Sequence, residues 1–192
     1  ELQSVALLRE SDDIQLDRQV VRSGCFKHLT RIDAEWFQEG KYDVYIVGDV
    51  PAEVFGAKLL NKMKQRVDEG AGLLMIGGFR SFGAGGYART PLADVLPVAM
   101  SHTETEASDQ ISSDLHYTQD VKLVPTQSGL NHYVMRLDPL SAQQNRETWQ
   151  KIPALRGANK LRAKNDFVQV LAKSANGLPL LFAHTTGRAR VM

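Results

Sequence analysis

The apolar run Leu73 to Ile76 empties into ten positions, 77–86, that hold five glycines (Gly77, Gly78, Gly83, Gly85, Gly86). At the end of a buried strand in an α/β protein, such a loop can cradle a phosphate or carry a nucleophile. A P-loop needs a lysine and a hydroxyl straight after its last glycine, and this loop contains no lysine. A dinucleotide fingerprint opens directly into a long helix, whereas "GAGGYARTP" is irregular and Pro91 stands at the following helix start. A nucleophile elbow places Ser or Cys on the strained turn itself. Here the turn is Gly77-Gly78, and Ser81 is the nearest hydroxyl, three residues beyond it. A base would also be needed, and none of His28, His102, His116, His132 and His184 has a spacing that marks it as the partner of Ser81. The remaining reading is structural: the glycines permit positive φ and close backbone approach, while Phe79, Phe82 and Tyr87 plug the loop onto the sheet edge. This reading is favoured.

Two further side chains flank the loop. Asp49 ends the preceding strand, where a carboxylate can face a ligand or cap a turn, and both readings stand. Arg80 could receive an anion, although an exposed loop arginine is the commoner case. Trp36 and Trp149 read as packing residues, and Arg188 and Arg190 as solvent-facing strand positions. The histidines are scattered without zinc-motif spacing, so no metal and no cofactor is expected. The one cysteine, Cys25, excludes an internal disulfide and any multi-cysteine metal site.

The elements that would position these residues follow from periodicity. "YDVYIVGDV" (Tyr42 to Val50) reads as a buried strand, "AKLLNKMKQRVDEG" as a helix with Leu59, Leu60, Met63 and Val67 on one face and Gly70 as its cap, and "GLLMIGG" as the next buried strand. Strand, helix and strand in that order make a right-handed βαβ unit whose functional edge lies at the strands' carboxyl ends. Thr90-Pro91 starts a short helix, "PLADVLP". "ELQSVALLRE" reads as the end of a helix and "DIQLDRQVVR" as a strand. Ser101 to Asp114 is polar with little periodicity and reads as a mobile loop or an edge excursion. "VKLVPT" and "HYVMRLD" read as strands, and "SAQQNRETWQKI" as a helix with Trp149 on its buried side. "FVQVLAKS" and "LPLLFAHT" flank Asn176-Gly177 as a hairpin, with a second turn at Thr186-Gly187.

The 192 residues fit one domain, with 43% hydrophobic and 23% charged residues, as in soluble globular proteins. The 23 basic and 22 acidic residues are well mixed and give a net charge of +1, so no field points to nucleic acid or to an anionic membrane. No apolar run approaches the roughly 18–20 residues that cross a bilayer, and no signal peptide is visible. The chain opens on Glu1 and stops at "GRARVM" within a strand pattern, so it reads as a piece of a longer protein, and a membrane anchor elsewhere in that parent stays open.

"YDVYIVGDVPAEVF", "LNKMKQRVDEGAGLLMIGGFRSFGAGGYARTPLADVLPV" and, later, "PTQSGLNHYVMRLD", "ETWQKIPAL" and "GLPLLFAHTTGRARV" together resemble the glutamine amidotransferase-like domain of large, often membrane-associated bacterial proteins. That group is a branch of the class I glutamine amidotransferase superfamily. The resemblance implies a three-layer α/β/α sandwich of flavodoxin-like or Rossmann-like type, with a mostly parallel sheet and a C-terminal β-hairpin extension. It also implies that the chain starts within the family's first helix, so that the first strand and the last segment are missing. In class I amidotransferases a cysteine nucleophile sits in a Gly-x-Cys-x-Gly turn after the strand that "GLLMI" matches. Gly77 stands at that position here, and "AHTTG" around His184 lacks the acid of the family's His-x-Glu pair. Cys25 precedes the Tyr42 strand and does not substitute. His132 matches a position where related domains carry histidine followed by proline; it either orients a polar ligand or bonds loop backbone, the second being favoured.

The reading is therefore a non-catalytic binding or scaffolding domain of amidotransferase-like fold. Its ligand-binding candidates are Asp49, Gly78, Phe79, Arg80 and His132, and its partner is a small molecule or protein that the sequence does not identify. The sequence leaves its oligomeric state and compartment open. The alternatives are a hydrolase or amidotransferase-type enzyme using Ser81 or His132 at the sheet's carboxyl edge, and a nucleotide or sugar binder using the glycine loop.

Overall fold

The computed structural model describes the backbone of residues 3–10, 13–20 and 25–29, and residues 32–106, 111–137 and 141–192 with their side chains. Positions 107–110 lie outside the described residues, and with them the middle of the polar loop expected over 101–114.

Strands β1 (Gln3–Glu10), β2 (Asp13–Val20) and β3 (Cys25–Leu29) form a three-stranded antiparallel sheet in which Leu7 faces Leu16 and Leu16 faces Leu29. The helix expected over "ELQSVALLRE" is thus corrected to a strand. Short apolar runs satisfy both the helical and the strand period, and the ladder from Gln3–Val20 to Glu10–Asp13 decides between them.

The site rests on a second sheet. Strand β4 (Val44–Val47), helix α1 (Ala52–Asp68) and strand β5 (Gly72–Met75) form the expected βαβ unit, with β4 and β5 parallel. Leu60, Met63 and Val67 of α1 are buried in one cluster with Tyr45, Val47, Leu73 and Met75. Full burial of each large aliphatic side chain there stabilises the fold by about 1.5–3 kcal/mol. Gly56 breaks the helix near its start with φ 68° and ψ 163°, a conformation restricted essentially to glycine. The regular part therefore begins about where the Leu59 to Val67 spacing places it. The Gly70 amide donates to the Val67 carbonyl at 2.9 Å and closes the helix.

After the glycine loop come α2 (Leu92–Val95), β6 (His116–Tyr117), β7 (Leu123–Pro125), α3 (Gln127–Asn131), α4 (Ala142–Lys151) and β8 (Ala158–Asn159). Strands β9 (Gln169–Ser174), β10 (Pro179–Thr186) and β11 (Ala189–Val191) end the chain. The six-stranded sheet runs β4-β5-β11-β10-β9-β7. Its core strands β4, β5 and β11 are parallel, and β11, β10, β9 and β7 continue it as antiparallel neighbours. The β9–β10 hairpin, turning at Gly177 with φ 85°, is built into this sheet. Strands β6 and β8 pair separately as a short ribbon.

Two expectations change. "HYVMRLD" is a 3-10 turn over Tyr133–Met135 rather than a strand. The Met135 amide bonds back to the His132 carbonyl, and the Trp149 indole of α4 donates to the Met135 carbonyl at 2.7 Å, which ties the turn to α4. The first strand of the βαβ unit is also covered on one face only among the described residues. Tyr45 and Val47 point into the core, while Val44 (57% exposed) and Ile46 (60%) share the open face. No helix among the described residues is long and apolar enough to cross a membrane.

Candidate functional site

The glycine loop joins three element ends. Ser81, fully buried, donates its hydroxyl to the Ile76 carbonyl at 2.8 Å. The Ala52 amide at the start of α1 donates to the Gly85 carbonyl at 2.8 Å. Gly85 must be glycine, since a Cβ there would lie 1.9 Å from the Arg80 carbonyl oxygen. Tyr87, also fully buried, donates its phenol to the Val50 carbonyl at 2.7 Å. Burial pushes that phenol far above its ordinary value, and the nearby Asp49 charge adds to the rise. Phe82 and Tyr87 enter the main core, as the plug reading requires, whereas Phe79 is 46% exposed.

A cavity of about 470 Å³ opens over the Gly77-Gly78 turn. Its walls are mostly apolar, from Phe79, Phe82, Leu155, Leu161, Leu181 and Phe182, and Asp49, His116 and Asn159 bring polar groups to it. Asp49 accepts the backbone N–H of Arg80 on Oδ1, so it caps the turn and also lines the cavity. A Cβ on Gly78 would lie 2.3 Å from Asp49 Cγ, and one on Gly77 would lie 2.5 Å from Asn159 Oδ1. The two glycines are thus bare because two side chains occupy the space beside them.

Behind Asn159 stands a buried chain of hydrogen bonds. His116 Nε2 lies 3.1 Å from Glu106 Oε2, with the two side chains only 3% and 5% exposed. A carboxylate can only accept, so Nε2 carries the proton. Nδ1 on the other side of the ring faces Asn159 Nδ2 at 3.3 Å. The same Nδ2 donates to the Gly78 carbonyl at 2.9 Å. Because that carbonyl also only accepts, the amide orientation is fixed and Asn159 Oδ1 is turned toward Gly77. Phe79 packs edge-on against the His116 ring, with centroids 5.6 Å apart.

Of the residues singled out from the sequence, Asp49, Gly77, Gly78 and Phe79 converge on this cavity. Arg80 joins it through its backbone and lines a second cavity of about 550 Å³ beside the start of α1. Ser81 is absent from the lining of both cavities, as is His132, whose ring stacks on Tyr133 with centroids 5.1 Å apart. Cys25 begins β3 in the other sheet. Glu106 and Asn159 escaped the sequence reading, and His116 figured there only as one of five scattered histidines, because their contacts span 10, 43 and 81 positions and follow no local spacing. Among the described residues no three His, Cys, Asp or Glu side chains are grouped to hold a metal.

A mixed sheet with a parallel core and a βαβ unit, with a cavity at its carboxyl edge, define an α/β protein. The chain belongs to the glutamine amidotransferase-like family, described as "putative glutamine amidotransferase", whose pattern matches residues 55–192. Among solved structures, a cytoplasmic protein (STM1381) from Salmonella typhimurium LT2 is similar in fold, with 24% identity and a TM-score of 0.61 over 99% of this chain and 82% of that one. A search of the curated proteins gave no match.

Proposed function

We propose that this domain binds a ligand or partner and does not carry out the glutaminase reaction. The observation that carries this is the turn after β5. Gly77, the residue that the family resemblance sets at the nucleophile position, has no side chain, and Asn159 Oδ1 fills the space into which one would project. An amide oxygen is a hydrogen-bond acceptor and does not attack a carbonyl as a thiolate would. The hydrolase alternative is less well supported. Ser81 spends its hydroxyl on the Ile76 carbonyl, and His132 lies outside the cavity lining. We further propose that the domain is a three-layer sandwich in its complete form, within a longer bacterial protein, membrane-associated as in the group it resembles. The open apolar face bearing Val44 and Ile46 supports a second covering layer.

The test is alkylation by a glutamine-mimicking diazoketone, 6-diazo-5-oxonorleucine, followed by digestion and mass spectrometry. No adduct is expected on residues 44–192. An adduct on Ser81, His116 or His132 would overturn the reading.

A further inference from the structure

We infer that the cavity over Gly77-Gly78 takes a small apolar molecule carrying a primary ammonium group. The inference rests on the binding-domain reading and adds the chemistry of the ligand.

Each of the two bare residues of the turn is flanked by an oxygen acceptor. Asn159 Oδ1 sits against Gly77, and the Asp49 carboxylate sits against Gly78. The acceptor at Asn159 is fixed, since its amide nitrogen is held by the Gly78 carbonyl and by His116 Nδ1, and His116 is held in turn by Glu106. The amide cannot rotate to present its NH₂ group without losing both bonds. Asp49 gives Oδ1 to the Arg80 amide, and its exposed carboxylate keeps lone pairs on both oxygens for a donor. The polar end of the cavity thus offers a carboxylate and an oriented amide oxygen, which match a head with several N–H donors and positive charge. The walls, from Phe79, Phe82, Leu155, Leu181 and Phe182, match an apolar body. Arg156, exposed at the rim, is the cationic side chain among the described cavity residues, so an anionic ligand is the competitor that the test must address.

Phenethylammonium, 2-phenylethanol and 3-phenylpropionate share one apolar body and differ in the head. Each is titrated into the ¹⁵N-labelled full chain, and the amide signals of Gly77, Gly78 and Phe79 are followed. Phenethylammonium is expected to shift these signals and to bind at least about tenfold tighter than 3-phenylpropionate, as one charge-assisted hydrogen bond provides. Asp49→Asn keeps an acceptor for the Arg80 amide and removes the charge. It is expected to weaken phenethylammonium about tenfold while leaving 2-phenylethanol within about twofold. Equal or tighter binding of 3-phenylpropionate, or an unchanged phenethylammonium affinity in Asp49→Asn, overturns the ammonium assignment and leaves the binding-domain reading standing. Failure of all three to shift the turn's signals likewise overturns the ammonium assignment, while the binding-domain reading is decided separately by the alkylation test. The wild-type comparison of heads decides the matter even where Asp49→Asn does not fold.

Discussion

His116 Nε2 and Glu106 Oε2 lie 3.1 Å apart and almost wholly out of solvent, at the back of a cavity that neither residue's sequence surroundings announce. Removing the carboxylate would leave a buried N–H without its acceptor. Glu106→Ala is therefore expected to cost about 1.5–3 kcal/mol, the range for a hydrogen bond to a charged group. Urea unfolding measures it, and a loss below about 0.5 kcal/mol, the size of an ordinary surface effect, would show that the pair does not hold the cavity wall.

The contact between Gly77 and Asn159 gives a double-mutant cycle. Gly77→Ala pushes a methyl to 2.5 Å from Asn159 Oδ1, and overpacking of this kind costs about 1–3 kcal/mol. Asn159→Ala removes the obstructing amide together with its bonds to Gly78 and His116. The double variant should be less destabilised than the sum of the two singles by at least about 0.5 kcal/mol. Simple additivity would mean that the amide does not occupy the space beside the turn.

Gly85 and Gly48 make a matched pair. A Cβ on Gly85 would lie 1.9 Å from the Arg80 carbonyl oxygen, and one on Gly48 would meet nothing within 4 Å. Gly85→Ala must move backbone and is expected to lower stability by about 3 kcal/mol, the upper end of overpacking costs. Gly48→Ala should stay within about 0.5 kcal/mol of wild type. Thermal melting of the two variants side by side checks the packing of the loop.

Tyr87 sets an alkaline limit. Burial raises its phenol well above the ordinary 10.0. Below that value the phenol is protonated whether the chain is folded or unfolded, and stability does not depend on it. Above it the unfolded phenol releases a proton that the folded one keeps, so stability falls as pH rises. Burial raises Tyr45 as well, and it acts in the same direction. Tyr87→Phe should cost about 1 kcal/mol at neutral pH through the lost bond to Val50. It should also flatten the decline of the urea midpoint above pH 10.0. An unchanged slope would place Tyr87 outside the core.

Much of this was legible in the sequence where the signal is local. The apolar runs and the Leu60, Met63, Val67 spacing gave β4, α1 and β5, and the Asn176-Gly177 pair gave the β9–β10 hairpin. Residues 3–10 were misread because a short apolar run carries both periods and its partner strand lies outside it. "HYVMRLD" reads as a strand because Tyr133, Val134 and Met135 form a short apolar run, whereas the 3-10 turn there is held by the Trp149 indole from another element, which no local pattern records. At the site, glycine spacing led to Gly77, Gly78 and Asp49. Asn159 is placed by a contact across 81 positions, and no window of sequence records such a contact.

The most direct measurement is amide ¹⁵N NMR of labelled glutamine incubated with the full chain. The account predicts ammonium formation no faster than in buffer alone. An enzyme-dependent ammonium signal that disappears in His116→Ala would contradict it.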